Sequence, residues 1–213
     1  MINIKSFIAN QLFTNCYVVS DETKETCIID CGCYSETEWI PIREYIKNND
    51  LKPVHLLCTH LHFDHIMGCG FAGNEYNLQT EGSLADMNLY NNLSGQLAQF
   101  GLSLPDLPAL PVLKNVAGIG PIEFGNHQFT VIATPGHSRG GLCFYCEEEN
   151  VLFSGDTLFQ SSIGRTDLEG GDYEQIIRSI TEKLLVLPAK TQVFPGHGPS
   201  TTIDYETKFN PYI

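Results

Sequence analysis

Short apolar runs separated by Gly, Pro and Asn punctuate this chain from end to end, a rhythm that predicts mixed strands and helices. Residues 2–8 and 13–20 alternate as strands do, and Glu25-Thr26-Cys27-Ile28-Ile29-Asp30 is a third strand. Ser35 to Asn48 places Trp39, Ile42, Tyr45 and Ile46 at steps of three and four, the stripe of a helix with one apolar side. Val54-His55-Leu56-Leu57-Cys58 reads as a buried strand and Asn77-Leu78-Gln79-Thr80 as a short one. Ser83 to Phe100 predicts a helix whose core stripe is Leu84, Met87, Leu93, Leu97 and Phe100. Gly101 to Gly120, broken by Pro105, Pro108 and Pro111, reads as a loop long enough to serve as a lid. Strands follow at 121–124, 128–133, 141–147 and 151–154, then a helix from Tyr173 to Leu185 capped by Asp172. A last strand ends near Phe194, and Thr202 to Lys208 makes a closing turn or helix. Strand–helix alternation in both halves suggests two similar α/β halves.

The polar positions that break this pattern carry the chemistry. Thr59-His60-Leu61-His62-Phe63-Asp64-His65 follows the strand at 54–58, and Gly68 and Gly70 punctuate the chain just after it. In extended backbone alternate side chains point the same way, so His60 and His62 converge on one point. A helical turn beginning near Phe63 swings Asp64 and His65 toward a second point. Three further strand ends supply what these half-shells lack: Thr134-Pro135-Gly136-His137, Ser154-Gly155-Asp156, and Phe194-Pro195-Gly196-His197. The simplest partition assigns His60, His62 and His137 to one metal, Asp64, His65 and His197 to another, and Asp156 as a bridge. Two divalent ions less two aspartates and one hydroxide leave a charge of about +1, suited to an oxyanion forming on an attacked carbonyl. Donors of nitrogen and oxygen without thiolate suit zinc, with iron and manganese close behind.

Asp30, ending its own strand, either accepts a proton from a ligand imidazole and fixes its tautomer or simply forms the turn. His55 and His127 have no comparable context and read as ordinary half-buried or surface residues.

Composition narrows the class. With 213 residues, 42% apolar and 17% charged, the chain is expected to be a single globular domain over residues 1–213. A net charge of −13 argues against nucleic acid and anionic membrane as partners. The N-terminus shows no signal-peptide pattern and no run approaches a membrane span, so the expected compartment is the cytoplasm. Eight cysteines in such a chain are expected to stay reduced and pack as small hydrophobes. Cys143 and Cys146 fall on opposite faces of a strand, and only Cys31 or Cys33, in a loop after a strand, invites a reactive-thiol reading.

The run His60 to His65, with His137, Asp156 and His197, resembles the metallo-β-lactamase superfamily and its HxHxDH signature, nearly end to end. That resemblance implies an αβ/βα four-layer sandwich, two mixed sheets face to face with helices outside. Antibiotic-hydrolysing members with a three-His first site carry Cys where this chain has Asp156. Gly155-Asp156-Thr157-Leu158-Phe159, Ser162-Ile163-Gly164-Arg165-Thr166-Asp167 and Pro195-Gly196-His197-Gly198-Pro199 are similar to glyoxalase II and its short bacterial relatives. The resemblance implies hydrolysis of S-lactoylglutathione to D-lactate and glutathione, by attack of a metal-bridging hydroxide on the thioester carbonyl.

This chain departs from that pattern in two places. It stops at Ile213, without the C-terminal helical domain of full-length glyoxalase II. In the family a basic residue and a Tyr two positions on hold glutathione; here Arg165 matches the first, and Asp167 replaces the Tyr. Arg165 thus reads either as an anchor for an anionic tail or as half of an ion pair with Asp167. The Gly-Arg-Thr-Asp run also resembles iron-dependent persulfide dioxygenases, whose ligands would match His60, His137 and Asp156, and a lactonase is a third reading. The complete second-site set, including His197, favours hydrolysis.

Overall fold

The computed structural model describes residues 1–103 and 106–213. Its first sheet holds β1 (Asn3–Ala9), β2 (Thr14–Ser20), β3 (Glu25–Ile29), β4 (Lys52–Leu57), β5 (Thr80–Gly82) and β6 (Leu113–Asn115), in that order. β1 to β3 pair antiparallel, and β3 to β6 pair parallel. The second sheet contains β7 (Ile122–Phe124), β8 (His127–Ala133), β9 (Leu142–Cys146) and β10 (Val151–Gly155). A hairpin of β11 (Leu158–Phe159) and β12 (Ser162–Ile163) follows, and then β13 (Gln192–Pro195) and β14 (Thr201–Thr202) complete the second sheet. Its order is β14-β13-β10-β9-β8-β7, with only the β10–β13 pair parallel.

The internal echo in the sequence is a topological one. Each sheet runs an antiparallel meander into one crossover helix and back into a parallel strand. In the first sheet the helix is α1 (Glu36–Asn48), between β3 and β4. α2 (Phe63–Ile66), α3 (Cys69–Tyr76), α4 (Met87–Asn91) and α5 (Leu93–Gln99) follow, and α6 (Tyr173–Ser179) crosses over from β10 to β13 in the second sheet. α7 (Ile203–Phe209) closes the chain.

Burial on both strand faces explains why several central strands show no clean alternation. In β2, Cys16 and Val18 face the helix layer with Trp39, Ile42 and Ile46 of α1, whereas Tyr17 and Val19 face the opposite sheet. Phe124, Phe129, Phe144 and Phe153 meet them from the second sheet, and Leu152 and Cys143 point outward against Ile176. The architecture is the four-layer αβ/βα sandwich.

Several expectations need correction. The helix over 83–100 is broken into a 3-10 turn at Leu84–Asp86, α4 and α5. Leu84 and Phe100 are 46% and 41% exposed, while Asp86, Tyr90, Gln96 and Leu97 are buried. The reason is hydrogen bonding: Ser83 caps the first turn, Asn92 interrupts the second, and the buried polar side chains face backbone donors inside. The short strand is Thr80–Gly82, beyond the expected 77–80. The loop 101–120 contains β6, and Pro105 lies outside the described residues. The helix from Tyr173 is α-helical only to Ser179 and continues as a π turn through Leu184; Asp172 caps it by accepting from Gln175 N at 3.0 Å.

All eight cysteines are free and buried. Cys31 is held up by its hydrogen bond to Cys16 and by burial, and Cys33 by its hydrogen bond to Cys31 and by burial. Thiols raised and enclosed in this way are not nucleophiles at neutral pH, which removes the reactive-thiol reading. His55 and His127 are half-buried in carboxylate pairs away from the motif, as expected of ordinary residues.

Candidate metal centre

Four strand ends meet along one rim of the sandwich. β4 ends at Leu57, the chain bends at Thr59 and His60, and His62 is extended (φ −68°, ψ 149°) before α2 begins at Phe63. That change of backbone divides the motif as its spacing predicts. The β8–β9 turn carries His137, with Ser138 O accepting from Gly136 N at 3.0 Å. β10 delivers Asp156 through Gly155, whose φ of +49° and contact with the Thr59 side chain leave no room for a Cβ. β13 delivers His197, and an isolated bridge from Thr14 to His197, with Asn15 N donating to Gly196 O at 2.7 Å, ties the two sheets there.

The seven side chains form two facing triads. Nε2 of His137 lies 2.8 Å from Nδ1 of His62 and 3.2 Å from Nε2 of His60. On the other side, His197 Nε2 lies 3.2 Å from Asp64 Oδ2, and His65 Nε2 is 3.5 Å from the same oxygen. Asp156 stands between: Oδ2 is 3.5 Å from both His137 and His197, and Oδ1 is 3.4 Å from His65. Each triad, and His60-His65-Asp156 between them, gathers its donor atoms within 4.8 Å, close enough for one cation.

Hydrogen bonds behind the triads orient the rings. His137 Nδ1 donates to the Arg165 carbonyl at 2.8 Å and His197 Nδ1 to the Leu12 carbonyl at 3.0 Å, which leaves each Nε2 lone pair facing inward. Thr59 Oγ1 donates to Asp30 Oδ2 at 2.7 Å, so it accepts from His60 Nδ1 at 3.2 Å. Asp30 Oδ2 lies 3.0 Å from His65 Nδ1 but out of line for a hydrogen bond, so the contact is one of charge. Asp30 itself is left-handed (φ 55°), so it turns the chain and faces the imidazole at once.

Electrostatics separate the two sides. Burial, then the charges of His65 and His137, push His60 well below the ordinary histidine range, and burial with His137 takes His62 to about 3. Burial also opposes the proton on His65, but Asp64, Asp156 and Asp30 outweigh it and raise that ring to about 9. Against burial, hydrogen bonds to Asp156 and Asp64 raise His197 to about 11. Despite burial, Asp64 and Asp156 are depressed, chiefly by the charge of His65. The donor set fits a cation. Imidazole nitrogens converge lone pair to lone pair, and the buried Asp156 Oδ1 has no hydrogen-bond partner.

Some contributors have no sequence motif. Asp86 Oδ2 accepts from Ser138 Oγ at 2.7 Å and Leu61 N at 3.4 Å, and its Oδ1 accepts from Gly140 N at 2.6 Å. Gln96 accepts from Phe63 N and donates to Leu61 O, each at 3.1 Å. Thr14 Oγ1 donates to Asp64 Oδ2 at 2.9 Å. A cavity of about 410 Å³ opens beside the triads, and Phe63, Phe100, Ile163 and Arg165 are among its lining. Arg165 is paired with Asp167, its Nε and Nη2 each 2.7 Å from a carboxylate oxygen.

A fold of two mixed sheets with this His/Asp rim defines a class, and the sequence model of the metallo-beta-lactamase superfamily matches residues 9–197. The chain belongs to that superfamily of metallo-hydrolases. Among its relatives, the hydroxyacylglutathione hydrolase GloC of Haemophilus influenzae is 34% identical over 214 residues, covering 100% of this chain and 98% of that protein. The crystal structure of TTHA1623 in a di-iron-bound form superposes with a TM-score of 0.85 at 34% identity, over 98% of this chain and 100% of that one. The BLEG-1 B3 metallo-beta-lactamase does so with a TM-score of 0.82 at 34% identity, over 100% and 99%. Among the described residues no helix is long and apolar enough to cross a membrane.

Proposed function

We propose that the protein is a dinuclear metal-dependent thioester hydrolase of the glyoxalase II type, acting in the cytoplasm, with S-lactoylglutathione as the reference substrate. The observation that carries this reading is the placement of Asp156 between two complete triads beside an open cavity. His60, His62 and His137 would hold one ion, and Asp64, His65 and His197 the other, with Asp156 shared. A pair of divalent ions held there, most simply zinc with iron or manganese as substitutes, supplies hydroxide at neutral pH and polarises the acyl carbonyl. The di-iron-bound form of the similar TTHA1623 supports the pair while leaving the element open.

The chain's own part is positioning. Hydrogen bonds from His137 to the Arg165 carbonyl and from His197 to the Leu12 carbonyl hold the two rings on opposite sides of Asp156. Phe63 and Phe100 line the cavity with apolar surface. Hydrolysis adds water across the C–S bond. Oxygen bonds to the acyl carbon, sulfur departs with the bonding pair and takes up a proton, and the new acid releases its own.

The test is metal analysis of the purified protein combined with turnover. About two ions per chain, thioester hydrolysis and its loss in Asp156→Ala are expected. One iron per chain with oxygen uptake on glutathione persulfide would replace this reading by a dioxygenase. Turnover of a lactone or a β-lactam with no thioester turned over would move it to another hydrolase.

A further inference from the structure

The wall of the cavity has a chemistry that the triads do not account for. Leu12, Phe63, Phe100, Phe159, Ile163 and Leu168 present apolar surface to it, and apart from the candidate metal-ligand histidines Arg165 is the one basic side chain among the described residues of the lining. That cation is already engaged. Its Nε and Nη2 donate to the two oxygens of Asp167 at 2.7 Å each, the forked geometry by which an arginine grips a carboxylate. One fork of the guanidinium is therefore occupied, and the pair is neutral. Asp167 is depressed to about 2 by that hydrogen bond, so it stays ionised throughout the working range.

The neighbouring positions lean the same way. Leu168 enters the cavity, while Glu169, exposed, lines the adjoining groove with Phe100 and Leu168. The whole chain carries a net charge of −13. A negatively charged tail arriving at this rim meets a neutralised arginine, a carboxylate and a repelling surface. An alkyl or aryl group meets six apolar side chains.

Resting on the thioesterase reading, we propose that the site selects thioesters whose substituents at the rim are apolar and uncharged, and that Asp167 sets this preference by occupying Arg165. Asp167 acts through Arg165 and touches no reacting atom. Its side chain is 68% exposed, so the fold does not depend on it.

The experiment uses the metal-loaded full chain and two substrate series. One series varies the acyl group from acetyl to hexanoyl on N-acetylcysteamine. The other varies the thiol from methyl to hexyl at constant acyl. In at least one of them kcat/KM should climb roughly fourfold per methylene over the first three or four carbons, the yield of burying each against an apolar wall. In Asp167→Asn, freed Arg165 should shift the ratio of kcat/KM for S-lactoylglutathione to that for the neutral lactoyl-N-acetylcysteamine about tenfold toward the anionic substrate, as expected of a newly available charged hydrogen bond. Two flat series, or an unmoved ratio in Asp167→Asn, overturn this inference and leave the thioesterase standing. Absence of turnover on every thioester overturns the thioesterase reading itself, and this inference with it.

Discussion

Asp86 and Ser138 are joined by a 2.7 Å hydrogen bond from the serine hydroxyl to Oδ2, and through it the loop bearing His60 and His62 is fastened to the turn bearing His137. The same carboxylate takes the Gly140 amide at 2.6 Å. Neither residue is a ligand candidate, yet the three-imidazole triad depends on the register that the pair sets.

Asp86→Ala leaves the Ser138 hydroxyl and the amides of Leu61 and Gly140 without their acceptor. A cost of about 3 kcal/mol is expected, a fall in Tm of roughly 6–12 °C for a chain of this size. Metal content should drop toward one ion per chain as the first triad loosens. Wild-type Tm and full metal content in the variant would refute the positioning role.

Removing metal should destabilise the whole molecule. Imidazole nitrogens face each other at 2.8 Å and the buried Asp156 Oδ1 has no protein partner, so a bound cation would satisfy donors that the chain leaves unpaired. A metal a thousandfold above its Kd stabilises by about 4 kcal/mol, so dialysis against a chelator should lower Tm by roughly 8–16 °C in calorimetry. An unchanged Tm after proven metal loss would argue that these side chains hold no ion in solution.

Phe100 lies on the cavity rim, 41% exposed, its ring centroid 5.1 Å from that of Phe63. Phe100→Ala should raise KM for a hexanoyl thioester about tenfold with kcat little changed, the pattern of lost uniform binding. Loss of stability should stay within about 1 kcal/mol because the ring is only partly covered. Equal KM in variant and wild type would place the substrate elsewhere.

His55 and Glu81 set a pH dependence remote from the triads. Burial lowers His55, but Glu81, 2.6 Å from its Nδ1, outweighs it and lifts the ring above its usual 6.5. Burial raises Glu81, yet His55 and Lys114 hold it below its usual 4.5. The raised histidine stabilises fully below pH 6.5 and its contribution is lost as pH climbs through the elevated value. The depressed glutamate contributes above pH 4.5 and is lost as pH falls through its lowered value. In metal-loaded protein Tm should therefore decline as pH rises above 6.5 through the elevated His55 value, and Glu81→Gln should flatten that decline. A slope identical in both proteins would assign the pH dependence to other groups.

The chain by itself determined the strand–helix rhythm, the placing of His60 to His65 and of His137, Asp156 and His197 at strand ends, and the split of the motif between two points. Those follow from periods of two and 3.6 residues and from Pro-Gly turns, which are local properties. Tertiary structure alone decided that Leu84 and Phe100 face outward while Asp86 and Gln96 face in, because a polar side chain is buried only where another segment brings it backbone partners. It also closed one fork of the Arg165 guanidinium on Asp167, a side-chain contact that a spacing of two residues permits but does not require.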